Sequence, residues 1–276
     1  MFKRMRIISF NIWFHRYKLE ERINSLVQQI LTQHPVPDVL AFQEVTTESM
    51  IILQRLLKKV FPFYTPEQVH SYGVAIFSRH RIIHHLEIPF SSRMGRELLI
   101  TILQYNEQRI LVATAHFESE FGVNNAVKLE QYKTAQGFLD CFSSEYSNII
   151  LAADTNILSH EEDDFFSSND WNDCWRMVDS PPDKQFTFDS KTNAYHRIRK
   201  KTYQARLDRI LVKGCGVTTS FELLKKVPGK ILPSDHFGVM VDINTGGKEK
   251  EKGEEKGITN ETDKKERTEE VVVSID

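Results

Sequence analysis

One arrangement recurs through this chain: a short apolar run of strand length is closed by an acid, an amide or a histidine. Ile7-Ile8-Ser9-Phe10 leads into Asn11, and Asp38-Val39-Leu40-Ala41-Phe42 into Gln43-Glu44. Leu111–Ala115 leads into His116, Glu118 and Ser119, and Ile149–Ala153 into Asp154 and Asn156. Short apolar runs of this kind suit strands covered on both faces. The spacing predicts a first strand over Arg6–Trp13 and further strands over Gly73–Ser78, Leu98–Tyr105, Arg109–Thr114, Asn148–Ala152, Leu207–Val212 and Val239–Ile243. Between them, Lys18–Gln33 has helical spacing through Leu19, Ile23, Leu26, Val27, Ile30 and Leu31, and Pro35 and Pro37 stop it. Helices are also expected around Glu48–Val60 and Asn124–Phe142. This is an α/β pattern with many short connections, and one domain over residues 1–245 fits it better than two.

Composition bounds the rest. With 276 residues, 40% apolar and 11% aromatic, the chain can bury a sizeable core. Lys and Arg total 36 against 38 Asp and Glu, which excludes a polycation. From Lys248 to Glu270, 16 residues are charged and only Ile258 is sizeably apolar. Such a segment cannot offset its ordering entropy, so residues 246–276 are expected to form a disordered charged tail. Lys3, Arg4 and Arg6 before an apolar run look faintly like a secretory signal. The run is short, contains Asn11 and lacks a small-residue cleavage site, so a buried strand is the better reading. No run approaches the roughly 20 residues needed to span a bilayer. Cys141, Cys174 and Cys215 have no C-x-x-C spacing, which favours a reducing compartment. A monomer inside the cell, in nucleus or cytoplasm, is expected.

Taken singly, the polar clusters are ordinary. Gln43-Glu44 reads as a turn or cap, Asp154-x-Asn156 as a turn, and Asp208 near Arg206 and Arg209 as a surface ion pair. Ser234-Asp235-His236 is less ordinary. Their order is informative: Asn11, Gln43-Glu44, His116, Asp154-x-Asn156, Asp208, Asp235-His236. If the strand continued past Asp154, alternation would point Asn156 to the same side. A hard divalent ion prefers oxygen ligands, and Glu44 suits that role. Asp154 suits a general base, and Asn11 and Asn156 suit orienting amides. His236 suits a donor to a charged oxygen, with Asp208 favouring its protonated ring.

In this order the residues resemble the endonuclease/exonuclease/phosphatase superfamily, which includes DNase I, abasic-site endonucleases, inositol polyphosphate 5-phosphatases and neutral sphingomyelinases. The resemblance rests on Ser9-Phe10-Asn11-Ile12, Phe42-Gln43-Glu44-Val45, Thr114–Ser119, Ala152–Asn156 and Ser234–Gly238. The His-x-Glu-Ser and Asp-Thr-Asn forms are most similar to its 5′-tyrosyl-DNA phosphodiesterase branch. This likeness implies a DNase I-like four-layer sandwich, two packed mixed β-sheets flanked by helices. It also implies phosphodiester hydrolysis that depends on Mg2+, with Mn2+ as a substitute. His116 and Ser119 would contact phosphate, while Phe188 and Asp235 would lie on the substrate side. The chain departs from the family pattern at Trp13-Phe14, where Asp-Gly is usual, so one acid near the metal is missing. It departs again at Leu158-Ser159, and at Phe188 and Phe237, where tryptophans are usual.

From Lys191 to Lys213 the chain interleaves Tyr195 and Tyr203 with basic residues, among them Arg197, Lys200, Arg206 and Arg209. Cations with aromatics suit single-stranded nucleic acid. The resemblance to the 5′-tyrosyl-DNA phosphodiesterase branch implies, as the substrate, DNA carrying a 5′-phosphotyrosyl adduct from a trapped topoisomerase, in DNA repair. The alternatives are an RNA 3′-exonuclease, an abasic endonuclease, a phosphoinositide phosphatase, or a binding module without activity. Val271-Val272-Val273 beside acids resembles a strand that pairs with a SUMO-type partner, although an unstructured end is the more ordinary reading.

Overall fold

Ile7 and Ile8 are both fully buried, although successive residues of a strand face opposite ways. Layers must therefore cover both faces, which is why the apolar runs lack alternation. The computed structural model describes residues 4–69, 71–119, 125–162, 170–196, 202–226 and 231–246. The elements of the first half are β1 (Arg4–Asn11), α1 (Leu19–Leu31), β2 (Val39–Thr46), α2 (Thr47–Leu57), β3 (Phe63–Thr65), β4 (Tyr72–Ser78), β5 (Ile82–Pro89), β6 (Glu97–Tyr105) and β7 (Gln108–His116). There follow α3 (Asn125–Asp140), β8 (Asn148–Asp154), β9 (Asn172–Asp173), β10 (Phe188–Asp189), β11 (Gln204–Ala205), β12 (Asp208–Gly214), β13 (Val217–Leu224) and β14 (Gly238–Asn244).

One six-stranded sheet runs β13-β14-β1-β2-β4-β3 and the other β5-β6-β7-β8-β12-β9; β10 and β11 form a separate ribbon. The β1–β2 and β7–β8 pairs are parallel while their neighbours are antiparallel, so both sheets are mixed. Met5, Ile7, Val39 and Ala41 meet Leu99, Val112, Ile150 and Ile210 between the sheets. On the outer face of the first sheet, Ile8, Phe10, Leu40 and Phe42 pack on Ile23, Leu26 and Leu53 of α1 and α2. Beyond the second sheet, Leu111, Ala113 and Leu151 pack on Tyr132, Ala135 and Leu139 of α3. The result is the expected four-layer α/β sandwich.

Several boundaries differ from expectation. The first strand stops at Asn11, because Trp13 takes a left-handed φ of 59°. The first two helices end at Leu31 and Leu57, short of Gln33 and Val60. Strands β3, β5 and β13 carry no clear apolar signal. β5, at a sheet edge, is mostly exposed, so no buried face marked it in the sequence. No helix among the described residues is long and apolar enough to cross a membrane. The charged tail from residue 247, with its valine run, lies outside the described residues.

Candidate active site

Strand register assembles the first part of the site. His116 ends β7, Asp154 ends β8 and Asp208 begins β12, and pairing sets His116 opposite Asp154 and Asp208 opposite Asp154. Three titratable side chains thus lie in a row at one sheet edge. From the other sheet Asn11, at the end of β1, reaches across and donates from Nδ2 to Asp154 Oδ2 at 2.8 Å. The loop before β14 adds His236, whose Nδ1 lies 2.8 Å from Asp208 Oδ2 and 4.0 Å from Asp154 Oδ2. Glu44 lies at a bulge, where the β2–β4 register shifts between Phe42 and Val45. Its φ is 59°, and a bulge of this kind re-aims a side chain that regular pleating would point elsewhere. One carboxylate oxygen of Glu44 accepts the Phe14 backbone N–H at 2.9 Å.

Beside Glu44, Gln43 ties the two sheets together. Its Nε2 donates to Thr114 Oγ1 at 2.9 Å and to Ser9 Oγ at 3.2 Å. Arg96 is 3% exposed and also belongs to the site. Its guanidinium donates to Tyr72 Oη, His116 Nδ1 and Ser119 Oγ at 2.8, 2.6 and 2.9 Å. With Nδ1 of His116 accepting from Arg96, the ring proton sits on Nε2, 3.4 Å from Asp154 Oδ2.

Electrostatics divides these groups by role. Burial and the adjacent arginine push the His116 imidazole well below its usual range, so it is neutral. For His236 burial works against the charge, but Asp208, by charge and hydrogen bond, holds the ring protonated well above the usual value. Asp154 rises to about 7, first from burial and then from the charge of Asp208, with His236 and the Asn11 hydrogen bond opposing. A carboxylate poised near neutrality can take and release a proton. Glu44 is also raised, by burial and then by Asp235.

Two groupings are open to a cation. Ligand atoms of Asp154, Asp208 and His236 lie within 4.8 Å of one another. There, however, the imidazolium already balances the carboxylates and spends Nδ1 on Asp208. Glu44 is a half-buried hard-oxygen donor that forms no salt bridge among the described residues. It fits a hard divalent ion better.

The sequence-derived residues gather at this edge, with local differences. Asn156 does not continue the strand: its φ is 50°, and its Nδ2 donates to the Phe117 carbonyl at 3.0 Å. Both ring nitrogens of His116 are engaged inside the protein, and the cation beside it is Arg96, which the sequence reading passed over. Arg96 follows Met94-Gly95, a loop without periodicity, so only the fold brings it in. Phe188 packs edge-on to His236, with ring centres 5.1 Å apart, and Phe237 is buried. The Asp235 carbonyl lies 2.7 Å from His196 Nε2. The basic stretch needs correction. Arg206 and Arg209 are buried against Glu162, with Asp173 beside them, and Lys213 pairs with Asp140 at 2.9 Å. Buried paired guanidiniums do not meet phosphate. Arg197 and Lys200 lie outside the described residues.

Fold and site together define the class: residues 8–236 match the model of the Endonuclease/Exonuclease/phosphatase family, and the chain belongs to that family. Among relatives, Tyrosyl-DNA phosphodiesterase 2 of Mus musculus is 26% identical over 223 residues, 75% of this chain and 58% of its own length. The Homo sapiens protein of the same name is 26% identical over 220 residues, 75% and 59% of the two lengths. The chain thus spans less than two thirds of these relatives. A solved structure of D. rerio TDP2 complexed with single strand DNA product covers 88% of this chain and 99% of its own, with a TM-score of 0.76 at 22% identity. At that identity the likeness is one of fold.

Proposed function

We propose that this protein is a divalent-metal-dependent phosphodiesterase that hydrolyses the 5′-phosphotyrosyl bond joining DNA to a protein adduct, leaving a 5′-phosphate. The observation that carries the reading is the approach of His236 Nδ1 to within 4.0 Å of Asp154 Oδ2, with Asn11 bonded to Asp154 and Asp208 to His236. Asp154, fixed by Asn11, takes the proton of an attacking water. His236, held charged by Asp208, donates to a phosphoryl oxygen as negative charge builds on it. Arg96 places a second positive charge at His116 and Ser119. Mg2+ held by Glu44 would polarise the phosphoryl group and neutralise the leaving phenolate. The names of the relatives support the substrate.

The test compares a 5′-tyrosyl oligonucleotide, an abasic duplex, poly(A) and an inositol phosphate under one Mg2+ concentration. Preference for the tyrosyl end, abolished by EDTA and restored by Mg2+, is expected. A stronger rate on any other member of the panel would reassign the substrate. No metal-dependent turnover on any of them would leave a binding module.

A further inference from the structure

Residues 14–18 read Phe-His-Arg-Tyr-Lys, and all five are exposed. Phe14 and Tyr17 keep 52% and 50% of their surface in water, which is unusual for large rings beside a buried site. The cause lies beneath them. Arg22, from α1, is fully buried and makes no salt bridge among the described residues. Its guanidinium instead gathers backbone carbonyls: Ile12 and Pro233 at 2.9 Å, Trp13 at 3.0 Å, Tyr17 at 2.9 Å, and His15. Trp13 lies over it, 4.7 Å from ring centre to guanidinium, and packs on Tyr195 at 4.9 Å. Because the carbonyls turn inward, the side chains of 14–18 turn outward on a loop already held in shape.

This loop starts at the reacting centre. The Phe14 N–H is bonded to Glu44, and its ring meets Tyr72 edge-on at 5.6 Å. Arg16 and Lys18 form no salt bridge among the described residues, and Glu20, the next acid along the chain, is engaged by Arg55 at 2.6 Å. Lys18 Nζ lies 5.6 Å from the Tyr17 ring centre and Tyr195 meets that ring edge-on at 6.3 Å, yet about half of the surface of both Phe14 and Tyr17 stays in water. Two half-exposed rings interleaved with cations that no acid pairs match a ligand that alternates π-faces with negative charges. An acidic peptide would use the charges but leave the rings wet.

We infer that residues 14–18 form a binding strip for single-stranded nucleic acid, with bases stacked on Phe14 and Tyr17 and phosphates drawn to Arg16 and Lys18. The inference rests on the proposed function for its substrate class. Arg22 is a positioning residue that presents the strip.

Two double variants test it, Phe14→Ala with Tyr17→Ala and Arg16→Gln with Lys18→Gln. Each is assayed on a 5′-tyrosyl oligonucleotide and on methyl 4-nitrophenyl phosphate, which has neither base nor strand. The aromatic variant should raise KM for the oligonucleotide about tenfold more than for the small ester. The charge variant should flatten the slope of log affinity against log salt by about 1.4, two single-strand phosphate contacts. An abasic strand of equal length should bind wild type and aromatic variant alike. Equal losses on both substrates, or an unchanged oligonucleotide KM, would overturn the strip while leaving the proposed function in place. If wild type hydrolyses neither substrate, the proposed function fails. Quenching of a 2-aminopurine oligonucleotide by wild type but not by the aromatic variant would then still uphold the strip, and its absence would end it.

Discussion

Asp154 lies between Asn11, His116 and His236, and these neighbours set what each substitution should do. Asp154→Asn removes the proposed proton acceptor while keeping the shape, so kcat should fall by more than about 10^2 with little change in the circular dichroism spectrum. Glu44→Gln should lower kcat by a similar factor and raise the Mg2+ concentration needed for half-maximal rate. Asp208→Asn acts through His236. That imidazolium is held above its ordinary value by Asp208, so in the wild type the ring keeps its proton beyond the usual histidine range. With Asp208 neutralised, the ring should lose its proton at lower pH. The alkaline limb of kcat/KM should then move acidward, and an unmoved limb would remove His236 from the reaction. Most of this site was legible in the sequence because Asn11, Glu44, Asp154 and Asp208 adjoin apolar strands. Arg96 and Tyr72 were not, since nothing in their local pattern signals that β4 and β6 deliver them to His116. Asn156 was misplaced for the opposite reason: alternation was extended beyond the end of β8, where a left-handed φ turns the chain.

At the scale of the elements, the central strands were readable and the edges were not. Strands such as β1 and β8 bury both faces and stand out as apolar runs, whereas β5 has only partial cover. Where elements touch most closely, small changes should be costly. A Cβ on Gly238, the first residue of β14, would lie 2.3 Å from the Phe10 ring in β1. Gly238→Ala should therefore cost about 1–3 kcal/mol, measured as a shift of the urea midpoint. The charged cluster under β12 gives a pH test. Burial raises the Glu162 carboxyl, but Arg209 and Arg206 outweigh it and bring it down to about 2 from an ordinary value of 4.5. A folded value below the unfolded one contributes stability that is complete above pH 4.5 and lost as pH falls toward 2. Tm should fall across that window, and Glu162→Gln should make the fall shallower.

For the whole molecule, the described core closes at Thr245, whose carbonyl and hydroxyl accept from Gln108 of β7. Removing residues 247–276 should leave Tm within about 1 °C and turnover of a small ester within about twofold. A larger drop in either would make the tail part of the folded unit. The sandwich also has a consequence for the order in which the protein comes into being. Asn11 and Glu44 belong to one sheet, His116, Asp154 and Asp208 to the other, and His236 precedes the last strand, which slots in beside β1. During synthesis Asp154 is made long before His236, and the two are brought together only when β14, the last strand among the described residues, docks against β1.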